Sequence, residues 1–296
     1  MHKSIESLIR DAEETGRPLP QVVLDREAAE TGVPAEQIRA RIRHTLGVMR
    51  RAIGEGLEGN VRSASGLTGG RAKKLWDGGP QILGSRVTAT LARAISTLEV
   101  NAAMGLIVAA PTAGAAGVLP AILISVDEFA EGGLGEERLV DAMLVAGGVG
   151  GVIAQRASLA GAEGGCQAET GTAAAMGAAA VTWLHGGSHE QISNAIALCL
   201  QGMLGLICDP IGGLVEIPCI YRNASAAMQA IAAAEMALAD LDFPVSADEV
   251  IDVMGEVGRR MPSAYRETAM GGLAATPSAR RLVQIRPTQR PSGASR

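Results

Sequence analysis

The chain has 296 residues and a formal charge of −5, with 31 acidic and 26 basic side chains mixed along it, which is ordinary for a soluble protein and gives no electrostatic case for nucleic acid. Glycine fills 38 positions against two each of Phe, Tyr and Trp, so the core must be built from Ala, Leu, Ile, Val and Met with close approach wherever small residues face each other. Four cysteines in so long a chain do not make a disulfide scaffold, and "MHKSIESLIRDAEETG" is too charged for a secretory leader, so a reducing cytoplasm is the expected setting.

Residues 1–60 read as charged, surface-like helices of the same domain as the rest. "SIESLIRDAEE" repeats apolar residues at helical spacing. Pro34 suits a helix start, after which Ile38, Ile42, Leu46 and Met49 form one stripe, and "GEGLEGN" loosens or ends that helix. "RSASGLTGGRAKK" is a loop of small residues before a basic tripeptide. From about 81 to 126 the chain is helical and almost uncharged. "NAAMGLIVAAPTAGAAGVLPAILISV" at 101–126 is long enough to span a bilayer. Internal prolines and the lack of an aromatic belt or flanking Lys/Arg cluster argue instead for a buried helix pair broken at "APTAG", and against a membrane protein.

"DEFAEGGLGEERL" is a charged surface turn. Residues 139–235 are the least polar part, with Ala-rich helices separated by glycine-rich turns. Runs of β-branched residues long enough for a central sheet are scarce, so the fold class is all-α. "SADEVIDVMGEVGRRM" opens with a capping box, Ser246 with Glu249. The expected organisation is the N-terminal helices, a helical core over 61–280 and a polar tail over 281–296 that frays or lies on a surface. A short strand near "RLVQI" is the one exception to helix.

Three of the cysteines lie at or beside turns. Cys166 follows Gly164 and Gly165, Cys208 precedes "DP" 42 residues later, and Cys219 follows Pro218 after 11 more. In such places backbone N–H groups can point at cluster sulfurs. The spacing fits no compact zinc finger or ferredoxin run, so buried packing thiols and metal ligands remain alternatives. Cys199, inside "NAIALCLQGM", reads as a buried hydrophobe. Three thiolates on a cubane iron–sulfur cluster leave one iron open as a Lewis acid; zinc with an open site is the competitor.

Two loops are candidates for holding a substrate carboxylate by hydroxyls and amides. "SGLTGGRAKK" offers Ser65, Thr68 and Gly69, with Arg71, Lys73 and Lys74 beyond, and "APTAGAAG" offers Thr112 and Gly114 before a new helix. Either is equally read as a simple turn, and neither is a P-loop or a dinucleotide fingerprint. His2 and His44 read as solvent-facing, while His185 and His189 flank a turn, "HGGSHE", with a minor case for a ligand or base role. There is no G-x-S-x-G elbow and no marked Schiff-base lysine, which places a pyridoxal enzyme low.

Taken together, "RSASGLTGGRAKK", "NAAMGLIVAAPTAGAAGVLP", "GAEGGCQAETGTAAAMGAAA", "GLICDPIGGLVEIPCIYRNA" and "YRETAMGGLAATP" resemble the α subunit of the iron–sulfur-dependent bacterial L-serine dehydratases over essentially the whole chain. The resemblance implies an all-helical catalytic subunit holding a [4Fe–4S] cluster through Cys166, Cys208 and Cys219. L-serine would bind with its β-hydroxyl on the open iron and lose its α proton to a base the sequence does not name. The resulting 2-aminoacrylate would give pyruvate and ammonia without pyridoxal phosphate. The "PTAGAAG" and "SGLTGG" loops would line the pocket. The chain has no room for the smaller β domain of single-chain members, so a separate β subunit and a hetero-oligomer are expected. Some single-chain members bring a tail cysteine to the cluster; "RLVQIRPTQRPSGASR" has none. Within the resemblance, threonine or cysteine remain alternative substrates, and outside it a non-catalytic zinc-bound or structural protein is the rival.

Overall fold

Helix starts are written locally into this chain. Ser4, Ser188 and Ser246 each accept a hydrogen bond from the backbone N–H three residues on, while the side chains of Ser7, Gln191 and Glu249 accept from the cap N–H in return. Pro34 stands immediately before the long third helix, as expected. The computed structural model describes residues 2–284. Among them, the only β pairing outside the helices is an isolated parallel bridge between Cys208 and Arg266.

The helices, in chain order, are α1 (Ile5–Thr15), α2 (Leu19–Thr31), α3 (Ala35–Glu58), α4 (Arg71–Gly78), α5 (Ser85–Ala102), α6 (Val118–Phe129), α7 (Glu136–Arg156), the single turn α8 (Gly161–Gly164), α9 (Thr172–Leu184), α10 (His189–Gln201), α11 (Cys219–Leu238), α12 (Ala247–Arg260) and α13 (Pro277–Gln284). The fold is all-α. No helix among the described residues is long and apolar enough to cross a membrane.

Helix α9, "TAAAMGAAAVTWL", is the axis. All of it except Trp183 is buried, and it packs against α6, α7, α10 and α11. A helix apolar all round has no solvent face and must be enclosed. A larger cluster gathers α1, α2, α3, α7 and α12 on one side, with Leu8, Leu46, Met49, Leu139, Ile153 and Ile251 inside it. A second, mostly alanine cluster joins α9 to α11 through Ala173, Ala174, Ala227 and Ala230. Of the stripe read from α3, Ile38, Leu46 and Met49 are buried and Ile42 is partly so. Helix α1 is tied to α12 end to side: the Ile5 and Glu6 amides donate to the Asp248 carboxylate at 2.9 and 3.0 Å.

Small residues set the helix spacing. A Cβ on Gly56 of α3 would lie 2.4 Å from the Ser96 carbonyl oxygen of α5, so the two backbones touch there. Gly56→Ala is therefore expected to lower stability by about 1–3 kcal/mol through overpacking. That outweighs the roughly 1 kcal/mol alanine gains in helix propensity. Thermal unfolding reads this as a lower midpoint; an unchanged midpoint would show that α3 and α5 can separate at no cost.

Three local expectations are corrected. Arg281–Gln284, expected in a strand, form the last turn of α13, which is held at its start by Ala279 N–H donating to Thr276 Oγ1. The following residues of that expected strand and of the polar tail lie outside the described residues. The basic tripeptide assigned to a loop begins α4, because the Glu99 carboxylate of α5 accepts from the Arg71 and Ala72 amides at 3.0 and 3.1 Å. The cap comes from 28 and 27 residues away, where local reading has no access. The helical stretch expected from 81 to 126 begins at Ser85, and its break at "APTAG" is wide, from the end of α5 to the start of α6.

Candidate active site

Cys166 sits on a turn that only glycine makes. Gly165 has φ +75°, and a Cβ there would stand 2.7 Å from Met261 Sδ and 2.8 Å from the Leu206 carbonyl. The chain then widens into a π-helical turn, Gln167–Gly171, before entering α9; such turns recur at functional sites. Gln167, fully buried, locks the turn in place. Its Nε2 donates to the Gly164 and Met254 carbonyls and its Oε1 accepts from Gly205 N–H. Cys166 Sγ lies 3.2 Å from Thr170 Oγ1.

Cys208 is held by the bridge already described. Its N–H donates to the Tyr265 carbonyl and its carbonyl accepts from Glu267 N–H, both at 2.8 Å. Asp209, buried, accepts from Leu273 N–H at 2.6 Å, so the 265–273 segment is pinned over this loop at two points. Cys219 is the first residue of α11, directly after the cis Ile217–Pro218 bond. Four residues on, Asn223 is fully buried. Its Nδ2 donates to the Cys219 and Gly114 carbonyls at 2.9 and 2.7 Å, and its Oδ1 accepts from Gly117 N–H at 3.0 Å. One amide thus fixes the start of α11 to the "PTAGAAG" loop.

The three turn cysteines share one electrostatic neighbourhood. Burial pushes the Cys208 thiol up, and Cys166, Glu169, Glu267 and Cys219 push it further. Cys219 is pushed up to about 12, first by burial and then by Cys166 and Glu169, with Arg222 opposing. Burial also raises Cys166, against Thr170 and Arg222. Cys199, inside α10, is raised by burial alone and is not part of this group. All four thiols are free. Among the described residues no three His, Cys, Asp or Glu side chains close tightly enough to hold a single ion.

Glu169 lies between the thiols and the "PTAGAAG" loop. Thr112 Oγ1 donates to its Oε1 at 2.7 Å, and its Oε2 is 4.0 Å from Cys208 Sγ. Burial raises the Glu169 carboxyl and Thr112 opposes. Arg222 supplies the nearby positive charge: Nη1 donates to the Ile207 carbonyl and stands 2.8 Å from Asp209 Oδ1, an ion pair without hydrogen-bond alignment. Arg266 carries a buried Nε with no hydrogen-bond partner, in the segment paired with Cys208.

The candidate loop residues separate into two groups. Thr112 and Gly114 adjoin Glu169; a Cβ on Gly114 would come 2.8 Å from its Oε1. In the other loop the hydroxyls already have partners. Ser65 Oγ donates to Glu216 Oε2 at 2.6 Å, and Thr68 Oγ1 donates to Glu99 Oε1 at 3.0 Å. Gly69 takes φ +147° against the Val61 carbonyl. This loop borders the Cys208–Cys219 segment through Glu216. His185 lies just past the end of α9 and bonds the Val181 carbonyl, so the length of α9, about 20 Å, separates it from the cysteine turn. His189 sits 3.4 Å from Glu13. His2, expected in solvent, is buried against Asp11.

Residues 14–274 match the family described as serine dehydratase alpha chain. The chain belongs to that family. It is 45% identical over 285 residues to a probable L-serine dehydratase, alpha chain, of Bacillus subtilis, covering 95% of this chain and 94% of that one. It is 38% identical over 285 residues to the L-serine dehydratase, alpha chain, of Peptoniphilus asaccharolyticus, covering 95% and 97%. A longer L-serine dehydratase of Streptomyces coelicolor is 41% identical over 276 residues, which are 91% of this chain and 60% of that protein. In this serine dehydratase alpha-chain fold, sequence reading missed Glu169, Arg222, Asn223 and Asp209. Glu169 and Asp209 lie within three residues of a candidate cysteine, which was the signal available. Asn223 was a lone polar residue in an alanine-rich run.

Proposed function

We propose that this chain is the α subunit of an L-serine dehydratase, converting L-serine to pyruvate and ammonia, with Cys166, Cys208 and Cys219 holding a [4Fe–4S] cluster. The observation that carries the reading is that three buried thiols from three separate turns lie within electrostatic reach of Glu169, with Cys208 Sγ 4.0 Å from its Oε2 and Arg222 bonded to the Ile207 carbonyl beside Cys208. The donor set fits the group. Thiols whose protons are held on by burial lose them to solvent only as a soft metal centre takes up the thiolate sulfurs. The space beside them is kept free of side chains by Gly161, where a Cβ would stand 3.1 Å from Cys208 Sγ.

When bound, the cluster supplies an iron without a protein thiolate, a Lewis acid for the β-hydroxyl of serine. The chain's own residues do the rest of the placing. Arg222 offsets negative charge beside Cys166 and Cys219. Thr112 and Gly114 line the pocket for substrate, with the N–H groups of their loop available to a carboxylate. Ser65, Thr68 and Gly69 shape its other wall through Glu216 and Glu99. The names of the Bacillus and Peptoniphilus relatives, both alpha chains, support a separate β subunit and so a hetero-oligomer.

Iron and sulfide analysis of anaerobically purified protein, with pyruvate formation from serine in the presence of the β subunit, tests this reading. About four irons per chain and pyruvate from serine are expected. Zinc without iron or sulfide overturns the cluster assignment, and no pyruvate from serine overturns the activity. Parallel assays with threonine and cysteine identify the preferred substrate.

A further inference from the structure

Glu169 differs from Asp209 and Glu216, the buried carboxylates of this region. Asp209 accepts from Leu273 N–H and pairs with Arg222, and Glu216 accepts from Ser65. Glu169 has one oxygen, Oε1, fixed by Thr112, while Oε2 faces only the Cys208 thiol at 4.0 Å. The charged residue that acts on it is Glu267, of like sign, and among the described residues no side-chain cation pairs with it. Both oxygens seat directly on glycine backbone: a Cβ on Gly161 would stand 2.6 Å from Oε2, and one on Gly114 2.8 Å from Oε1. The residue is only partly buried, so its side chain keeps contact with solvent. A half-satisfied, partly exposed carboxylate beside a like charge is complementary to a small cation that donates hydrogen bonds.

We infer that Glu169 receives the α-ammonium group of the amino-acid substrate, with Oε2 accepting an ammonium N–H while Thr112 holds Oε1. The inference rests on the L-serine reading above and adds a specificity to it. The amino group itself is recognised, so hydroxy acids of the same shape are rejected. A site built to bond an N–H discriminates strongly against an analogue lacking it, because the buried acceptor is then left without a partner.

Reconstituted holoenzyme, α with β, tests this by comparing serine with glycerate, which keeps the carboxylate and β-hydroxyl and replaces the ammonium by a hydroxyl. Glu169→Gln is expected to raise KM for serine about tenfold or more, with kcat changed far less, since the ammonium is held throughout the reaction. The inhibition constant of glycerate stays within about twofold, and iron and sulfide content is unchanged. Glu169→Asp falls between Gln and wild type. A parallel rise in the serine KM and the glycerate constant, no change in either, or loss of iron overturns the assignment. Calorimetric titration of glycerate into wild-type and Glu169→Gln holoenzyme reads its dissociation constant without turnover, and where no pyruvate forms serine is titrated in the same way. If the wild type forms no pyruvate from serine, the activity reading falls, and the binding contrast still decides on Glu169.

Discussion

Serine in place of Cys166, Cys208 or Cys219, one at a time, is expected to strip the protein of most of its iron and sulfide and to lower pyruvate formation by at least about 100-fold. That magnitude is the upper end of what even outer partners of a metal site contribute, and in the proposed assignment these three are its direct donors. A hydroxyl is a harder, weaker donor to iron than a thiolate, so the exchange costs binding while changing little volume. Cys199→Ala is the control. Its thiol is fully buried in α10 and raised by burial alone, with no coupling to the other three. It is expected to keep its iron and its activity and to lose about 1 kcal/mol of stability to the small cavity. Iron analysis, visible absorption and thermal unfolding of the four variants separate the two classes. Loss of iron from Cys199→Ala, or its retention in Cys208→Ser, contradicts the assignment.

Asn223 carries the second large expectation. Its side chain makes three hydrogen bonds in a fully buried position, two to carbonyls and one from Gly117 N–H. Asn223→Ala leaves these groups without partners, at about 1–3 kcal/mol each where water cannot reach them. Asn223→Asp is more telling. It keeps the size and the acceptor for Gly117 but turns two donors into a carboxylate facing the Cys219 and Gly114 carbonyls. We expect both variants to unfold at lower temperature. We also expect kcat/KM to fall by about 100-fold, because a loop displaced by about 1 Å no longer presents Thr112 correctly to Glu169. Differential scanning calorimetry beside steady-state kinetics checks this. Asn223→Asp with wild-type stability would mean that the amide does not join α11 to the loop.

The helical architecture was legible because its causes are local. Alanine-rich composition excludes a sheet, Ser246 with Glu249 announces a helix start, and the apolar spacing of Ile38, Leu46 and Met49 gives the buried face of α3. The three turn cysteines and the isolation of Cys199 were legible for the same reason, since each is defined by its immediate neighbours. What escaped is whatever depends on partners distant in the chain. Glu99 caps α4 across 27 and 28 residues, Thr112 meets Glu169 across 57, and Asn223 reaches Gly114 across 109. A buried carboxylate or amide inside an apolar run is a signal that a partner exists, but not where. The loop 62–70 shows the same limit: it reads equally as a carboxylate-holding loop or a simple turn, and nothing local reveals that Ser65 and Thr68 are engaged with Glu216 and Glu99.

The bridge between Cys208 and the 265–267 segment also bears on how the protein is made. Synthesis proceeds from the N-terminus, and most of the helices that surround α9 can pack before the ribosome reaches residue 265. The thiols would then be present, but the loop bearing Cys208 would lack both of its backbone partners and Asp209 would lack Leu273. The pocket is therefore finished last, by the closing of its C-terminal roof on an otherwise complete bundle. A nascent chain cut short before that point would have a helical core with an unpinned Cys208 loop, so the proposed cluster would be delivered after translation rather than during it.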